Sequence, residues 1–298
     1  MAKSARTSVK RKKNMEKISD KFYTGERSLF MSDGLEIENC EFGEGESPLK
    51  ESKNISVKSS VFGWKYPLWY GENVAVRNCV FKEMSRAGVW YTSDSTFSDC
   101  KIDAPKLFRR CASLVIENTN FSDAKETLWA CSGVKLKNVS ADGGDYFAMN
   151  SRDLDVENLT LHGNYSFDGA KNVVIRSSVL CSKDAFWNSE NVTVYDSVIE
   201  GEYLGWNAKN LTLINCTVRS HQGMCYVENL VMKDCKIENT DLAFEYSSVD
   251  VTASGKVDSI KNPSSGRICV EEVGEIILEK DKVNTAATEI FVGGKRVN

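Results

Sequence analysis

Three aspartates near the middle of the chain, Asp145, Asp168 and Asp184, stand close in sequence to Lys183, Arg109, Arg110 and Arg152. Two carboxylates held about 5 to 9.5 Å apart can work as acid and base on a glycosidic bond. Adjacent rungs of a repeating structure supply separations of that order, so Asp168, Asp184, Asp145, Arg152 and Arg109 are the candidate catalytic residues. With 42 acidic residues in 298, structural ion pairs produce the same grouping. A second set has the chemistry of binding. Five of the six tryptophans, Trp69, Trp90, Trp129, Trp187 and Trp206, occupy one position of a repeat. Indole rings spaced in this way stack on the apolar faces of sugar rings or on bases.

These residues must be carried by short, regularly stacked strands. An apolar-x-apolar triplet, a small polar residue and a second apolar pair recur along the chain, as in LEIENCEF from Leu35, VAVRNCVF from Val74, VVIRSSVL from Val173 and LTLINCTV from Leu211. Twelve copies repeat at about 19 to 20 residues, too short a period for helical repeats. Within each copy the period is two, which turns alternate residues inward from a strand. The polar residue between the two strands (Asn39, Ser59, Asn78, Asp99, Asn118, Asn138, Asn158, Ser177, Asp196, Asn215 and Asp234) suits a left-handed corner and can bond its equivalents in neighbouring coils. A third strand is expected before each copy, in segments such as PLWY, GVWY, AFWN and LGWN.

The fold expected is all-β, a single-stranded right-handed parallel β-helix of about 12 coils with terminal caps. Residues 1–21 read as a basic disordered tail containing KRKK at Lys10 to Lys13, residues 22–298 as the β-helix, and the segment after about 258 as its C-terminal cap. In the third strand the residue before each tryptophan is nearly always apolar (Leu68, Val89, Phe108, Leu128, Phe186), so it turns inward and the tryptophan column outward. The same column holds Phe30, Lys50, Arg109, Met149, Asp168, Cys225 and Phe244. The opposite phase would bury Arg109 and Asp168 unpaired and expose Tyr70, Tyr91, Arg110, Asn150, Asn188, Asn207, Tyr226 and Glu245 instead.

Composition removes several function classes. Net charge is -4, so no global basic field recruits nucleic acid. No run approaches the ~20 apolar residues of a membrane span, and without a leader-like start the expected location is the cytoplasm. Of the ten cysteines, Cys40, Cys79, Cys100, Cys216 and Cys235 share one inward position and read as core filler. Neither CxxC nor paired histidines appear, so no metal site and no cofactor are expected.

The third-strand strings GERSLF, GESPLKES, KYPLWY, RAGVWYT, SKDAFWNSEN, GEYLGWNAKNLTLINC, QGMCYVENL and TDLAFEYSSVD also carry a resemblance. From about Phe22 to about Gly266 the chain resembles the domain-of-unknown-function 3737 family, which is similar in architecture to pectin-lyase-like right-handed β-helices. The resemblance implies the fold and no established activity. Pectin-lyase-like enzymes place clustered aspartates, a calcium site or a catalytic arginine on the equivalent sheet, and no dense aspartate cluster here matches them. Two readings follow: an oligosaccharide or polysaccharide binder or modifier with a carbohydrate ligand, and a non-catalytic scaffold that presents its surface to a protein partner or to itself.

Overall fold

The computed structural model describes residues 15–298, and they form one continuous parallel β-helix. One strand per coil stacks in register from Glu16–Ser19 through Asp33–Glu38, Lys53–Lys58 and Glu72–Arg77 up to Thr288–Val292, about 15 turns in all. At ~4.8 Å per turn the rod is about 65 to 70 Å long. The count exceeds twelve because the first and last turns lack the motif. Glu16–Ser19 already pairs with Leu35 to Glu38, so the stack begins before the expected boundary at 22. At the other end Ser248–Lys261 and Ser265–Ile277 remain full rungs, and the closing element is the antiparallel pairing of Thr288–Val292 with Lys295–Arg296. That hairpin hides the last edge strand from other chains. The Lys10 to Lys13 run lies outside the described residues.

The polar corner is as expected. All eleven residues from Asn39 to Asp234 have φ between 47° and 55°, the left-handed conformation that asparagine and aspartate tolerate. Asn158 Nδ2 donates to Asn138 Oδ1 at 2.9 Å, and Asn138 Nδ2 to Asn118 Oδ1 at 2.9 Å. A second ladder, absent from the repeat as read, climbs the opposite corner: Asn229, Asn210, Asn191 and Asn172 each donate to the residue one turn below, at 2.8 to 3.1 Å, ending on Asp153.

The inward positions make a single core along the axis, including a stack of Phe42, Phe62 and Phe81 at 5.0 and 4.7 Å. The cysteine column lies inside it, and all five members are buried. Burial pushes the Cys79 thiol up to about 12. The column also satisfies the backbone. Ser178 N–H donates to Ser197 Oγ at 3.0 Å while Ser197 Oγ donates to Tyr195 O at 2.6 Å. Ser60 N–H meets Cys79 Sγ in the same way at 3.4 Å. Serine, threonine and cysteine therefore alternate here because each caps an amide that the corner leaves without a carbonyl.

The third side differs from expectation. Val89–Trp90 and Phe108–Arg109 are strand, Arg109 bridges Trp129, His221 bridges Asp241 and Ala243 bridges Ile260, and in the last turns residues 259–261 pair with 275–277; the rest of this side is a chain of turns. Left-handed residues alternate along it, for example Asp184 (φ 56°), Phe186 (φ 61°) and Asn188 (φ 52°). Amides still reach the adjacent turn, Phe186 N–H to Ser166 O at 2.9 Å and Asn188 N–H to Trp206 O at 2.9 Å. Such a path points two consecutive side chains inward, so Ala185 and Phe186 are both fully buried. Two column assignments are corrected: Cys225 is fully buried, and Phe244 is core while Glu245 continues the tryptophan column. Phe244 N–H donates to Gly223 O at 3.2 Å and Tyr226 N–H to Glu245 O at 2.7 Å. The turn after Cys225 holds one extra residue, which shifts the column by one.

Candidate functional site

The turn-built side carries a ribbon of rings. The residues before the tryptophans are buried, the tryptophans themselves are half-buried, and the residues after them, Ala130 apart, are exposed, as Tyr70 is at 46% and Tyr91 at 36%. The structure thus matches neither phase outright: the tryptophan column is partly covered, its rings stacked face to face or edge to face, and the column after it is the outermost. Trp69 lies on Trp90 at 5.3 Å with 8° between planes. The guanidinium of Arg109 then takes the place of a ring, 4.6 Å from Trp90 and 4.9 Å from Trp129.

Above Trp129 the ribbon steps sideways. Tyr146, Tyr165 and Tyr203 occupy a left-handed corner position three residues before the tryptophan column, and Tyr146 and Tyr165 stack at 4.9 Å. Contacts continue through Trp187 and Trp206 at 6.2 Å, Tyr226 at 5.2 Å and Tyr246 at 5.4 Å. This tyrosine column was missed in the sequence, although its three-residue offset from the tryptophans is visible there. The ring amines are anchored: Trp90 Nε1 donates to Lys106 O at 2.9 Å, Trp206 Nε1 to Gln222 O at 2.7 Å, and Trp69 Nε1 to Ala87 O.

Two of the predicted carboxylates interrupt this ribbon together. Asp168 replaces a tryptophan in one turn, and Asp184 replaces a tyrosine in the next. The result is a block of four in which Tyr165 and Trp187 occupy one diagonal, stacked at 6.3 Å, and the two aspartates occupy the other. Asp184 is 3% exposed and Asp168 half-buried. Burial raises Asp168 above the usual carboxylate range, opposed by a bond from Asn188. Burial also raises Asp184, opposed by Lys183 and the Tyr165 hydroxyl and reinforced by Glu202 and Asp168. The Asp184 charge in turn raises Tyr165. Two carboxylates whose proton affinity burial raises, set beside stacked rings, have the chemistry of an acid and a base.

The other candidates stand apart from this pair. Asp145 accepts Asn164 N–H at 2.8 Å, at a turn two coils below Asp184. Arg152 begins the strand Arg152–His162, beyond the corner, and lies 3.8 Å from Asp153. Arg109 lies three coils below Asp168 and binds Glu126 at 2.9 Å, a carboxylate shared with Lys106 at 3.0 Å. Burial alone would raise Glu126, but these two cations outweigh it and hold it below its usual range. Among the described residues no group of three or more histidine, cysteine or acidic side chains could hold a metal ion, and no helix is long and apolar enough to cross a membrane.

Charge divides the ribbon in two. Counted from four residues before the column to one after it, the turns at Trp69, Trp90, Arg109 and Trp129 carry Lys65, Arg86, Lys106, Arg109, Arg110 and Lys125 against the acid Glu126, with Glu83, Asp103 and Asp123 just outside that stretch. The turns from Met149 to Glu245 carry Asp145, Asp168, Asp184, Glu202, Asp241 and Glu245 against the single base Lys183.

Solved structures share this architecture. The chain is similar to a PL6 alginate lyase in complex with trisaccharide, at 9% identity over 96% of this chain and 85% of that one, with a TM-score of 0.52. It is also similar to PfbA, a surface adhesin of Streptococcus pneumoniae (9%, 94% and 83%, TM-score 0.40), and to a mutant tailspike protein of E. coli bacteriophage HK620 in complex with pentasaccharide (11%, 93% and 74%, TM-score 0.44). At 9% identity the likeness to the lyase shows a shared β-helix alone. A search of curated proteins finds no match. Across residues 16–291 the sequence matches the model of a family described as a protein of unknown function, DUF3737, and the chain belongs to that family.

Proposed function

We propose that the turn-built side binds an extended oligosaccharide or polysaccharide, laid along the ribbon from Trp69 to Tyr246. The observation that carries this reading is the near-continuity of half-buried rings along the rod axis, broken where Arg109 and the two aspartates stand in. Stacked rings at each turn suit a ligand that is itself a chain of apolar-faced rings, and a surface of this size left bare invites association. Trp69, Trp90, Trp129, Trp187 and Trp206 are the binding residues in this reading. The alginate lyase of similar fold holds a trisaccharide in its structure, which supports the ligand class as a matter of fold analogy. Processing of a bound chain would fall to Asp168 and Asp184, where the ribbon exchanges rings for carboxylates. A glycan array probed with the purified full chain tests the proposal: retention of extended glycans over monosaccharides supports it, and an array without signal overturns it.

A further inference from the structure

The split of charge along the ribbon makes the face complementary to itself. Within the six residues that each turn lends to the ribbon, six basic residues and one acid occupy four consecutive turns, followed by six acids and one base over the next six. Several of these charges are uncompensated within the chain: Arg86, Arg110 and Lys125 on one half, and Asp145 and Asp168 on the other, make no ion pair among the described residues. Uniform charge would make two copies repel face to face. An alternating pattern would blur any register. A single change of sign instead favours one arrangement, with two rods antiparallel and the basic half of each over the acidic half of the other.

We infer that two copies of this chain associate through the aromatic ribbon as an antiparallel two-fold dimer, centred between the turns of Trp129 and Met149. A two-fold axis there brings the turn of Arg109 and Arg110 over the turn of Asp168, the turn of Trp90 over that of Trp187, and the turn of Trp69 over that of Trp206. Each pairing sets cation against anion or ring against ring, as a self-complementary interface requires. Eight turns at about 4.8 Å, with five to six residues across, cover roughly 600 to 700 Å² per copy, close to the ~800 Å² per partner of a stable interface. The dimer uses the surface assigned above to a glycan, so the two occupants exclude one another. The inference stands on charge and geometry and does not need the glycan reading.

Sedimentation velocity of the full chain at micromolar concentration tests it. The native protein is expected to be dimeric in low salt and to dissociate in about 1 M salt, where charges are screened within ~3 Å. Arg110→Glu, at an exposed position, is expected to weaken the dimer about tenfold or more, a change of ~1.4 kcal/mol or above, while melting like the native chain. Asp168→Lys is expected to do the same, and mixing the two variants is expected to restore a dimer, because each then offers the charge the other lacks. Should Asp168→Lys fail to fold, the salt series and Arg110→Glu still decide. A native chain that stays monomeric, or a dimer indifferent to both salt and Arg110→Glu, overturns the inference and leaves the glycan proposal standing.

Discussion

The rings of Tyr165 and Trp187 stack across adjacent turns at 6.3 Å with 21° between their planes, and the aspartates Asp168 and Asp184 fill the remaining corners of that block. The stack closes the block on one diagonal and withdraws solvent from the carboxylates on the other. Burial of this kind disfavours charge, and its consequences can be measured.

Asp184→Asn is expected to stabilise the protein at neutral pH. The folded state raises the Asp184 carboxyl above its ordinary value of 3.8, through burial first. Stability from this group is thus fully present below that value and is lost as pH rises through the folded value. Asparagine removes the loss and can still accept from Tyr165. Melting temperatures from pH 3 to pH 8 should show the variant gaining on the native chain as pH rises. A variant that loses ground at neutral pH would contradict the assignment.

In the same variant, Tyr165 should ionise at lower pH than in the native chain, because the Asp184 charge is the largest cause holding it up. Ultraviolet titration of tyrosinate absorbance should show one tyrosine moving toward its ordinary value. An unchanged profile would mean that the two side chains do not sense each other.

The cysteine column predicts that Cys216→Ser is nearly silent, within about 1 kcal/mol, since a serine there can cap one amide and donate to one carbonyl as Ser197 does. Cys216→Asp, which buries a charge without a partner, should cost several times more. Chemical denaturation of both variants in reductant provides the comparison.

At the corner, Asn138→Val should destabilise by about 2 to 3 kcal/mol. It removes bonds to Asn118 and Asn158 and forces a β-branched residue into φ 53°, a conformation costing about 1 to 2 kcal/mol for ordinary residues. Asn138→Gly should cost less, because glycine restores the conformation though not the bonds. Equal losses would place the whole effect in the hydrogen bonds.

The strands, the corner ladder and the buried cysteine column could be read directly from the residues, because all three follow a period of two interrupted by one small polar side chain. The third side could not. Tyrosine and phenylalanine at Tyr165 and Phe186 give no sign that they adopt the left-handed region, which their own preferences disfavour; the stacked turns impose it. Strand alternation therefore set Trp187 and Trp206 fully outward, whereas both are half-buried and it is Asn188 and Asn207, the outer face of the opposite phase, that are exposed; it missed as well that Ala185 and Phe186 both point inward. It also slipped by one at Phe244, where the added residue leaves no mark in the pattern. The terminal turns at Glu16–Ser19 and Thr288–Val292 escaped because pairing with a neighbour, rather than a repeat of their own, holds them in place.

The claim that the ribbon is a ligand platform is tested most directly by calorimetric titration of oligosaccharides of increasing length into the native chain and into Trp187→Ala and Trp206→Ala, with melts of each. Both tryptophans are half-buried, so each variant should lose about 2 kcal/mol of stability, against about 3 to 5 kcal/mol for a fully buried ring such as Phe186. Binding to the native chain should strengthen with glycan length and fall in each folded variant by about 1 to 3 kcal/mol per lost ring, as base stacking does. Affinity that ignores both chain length and the loss of either tryptophan would contradict the account.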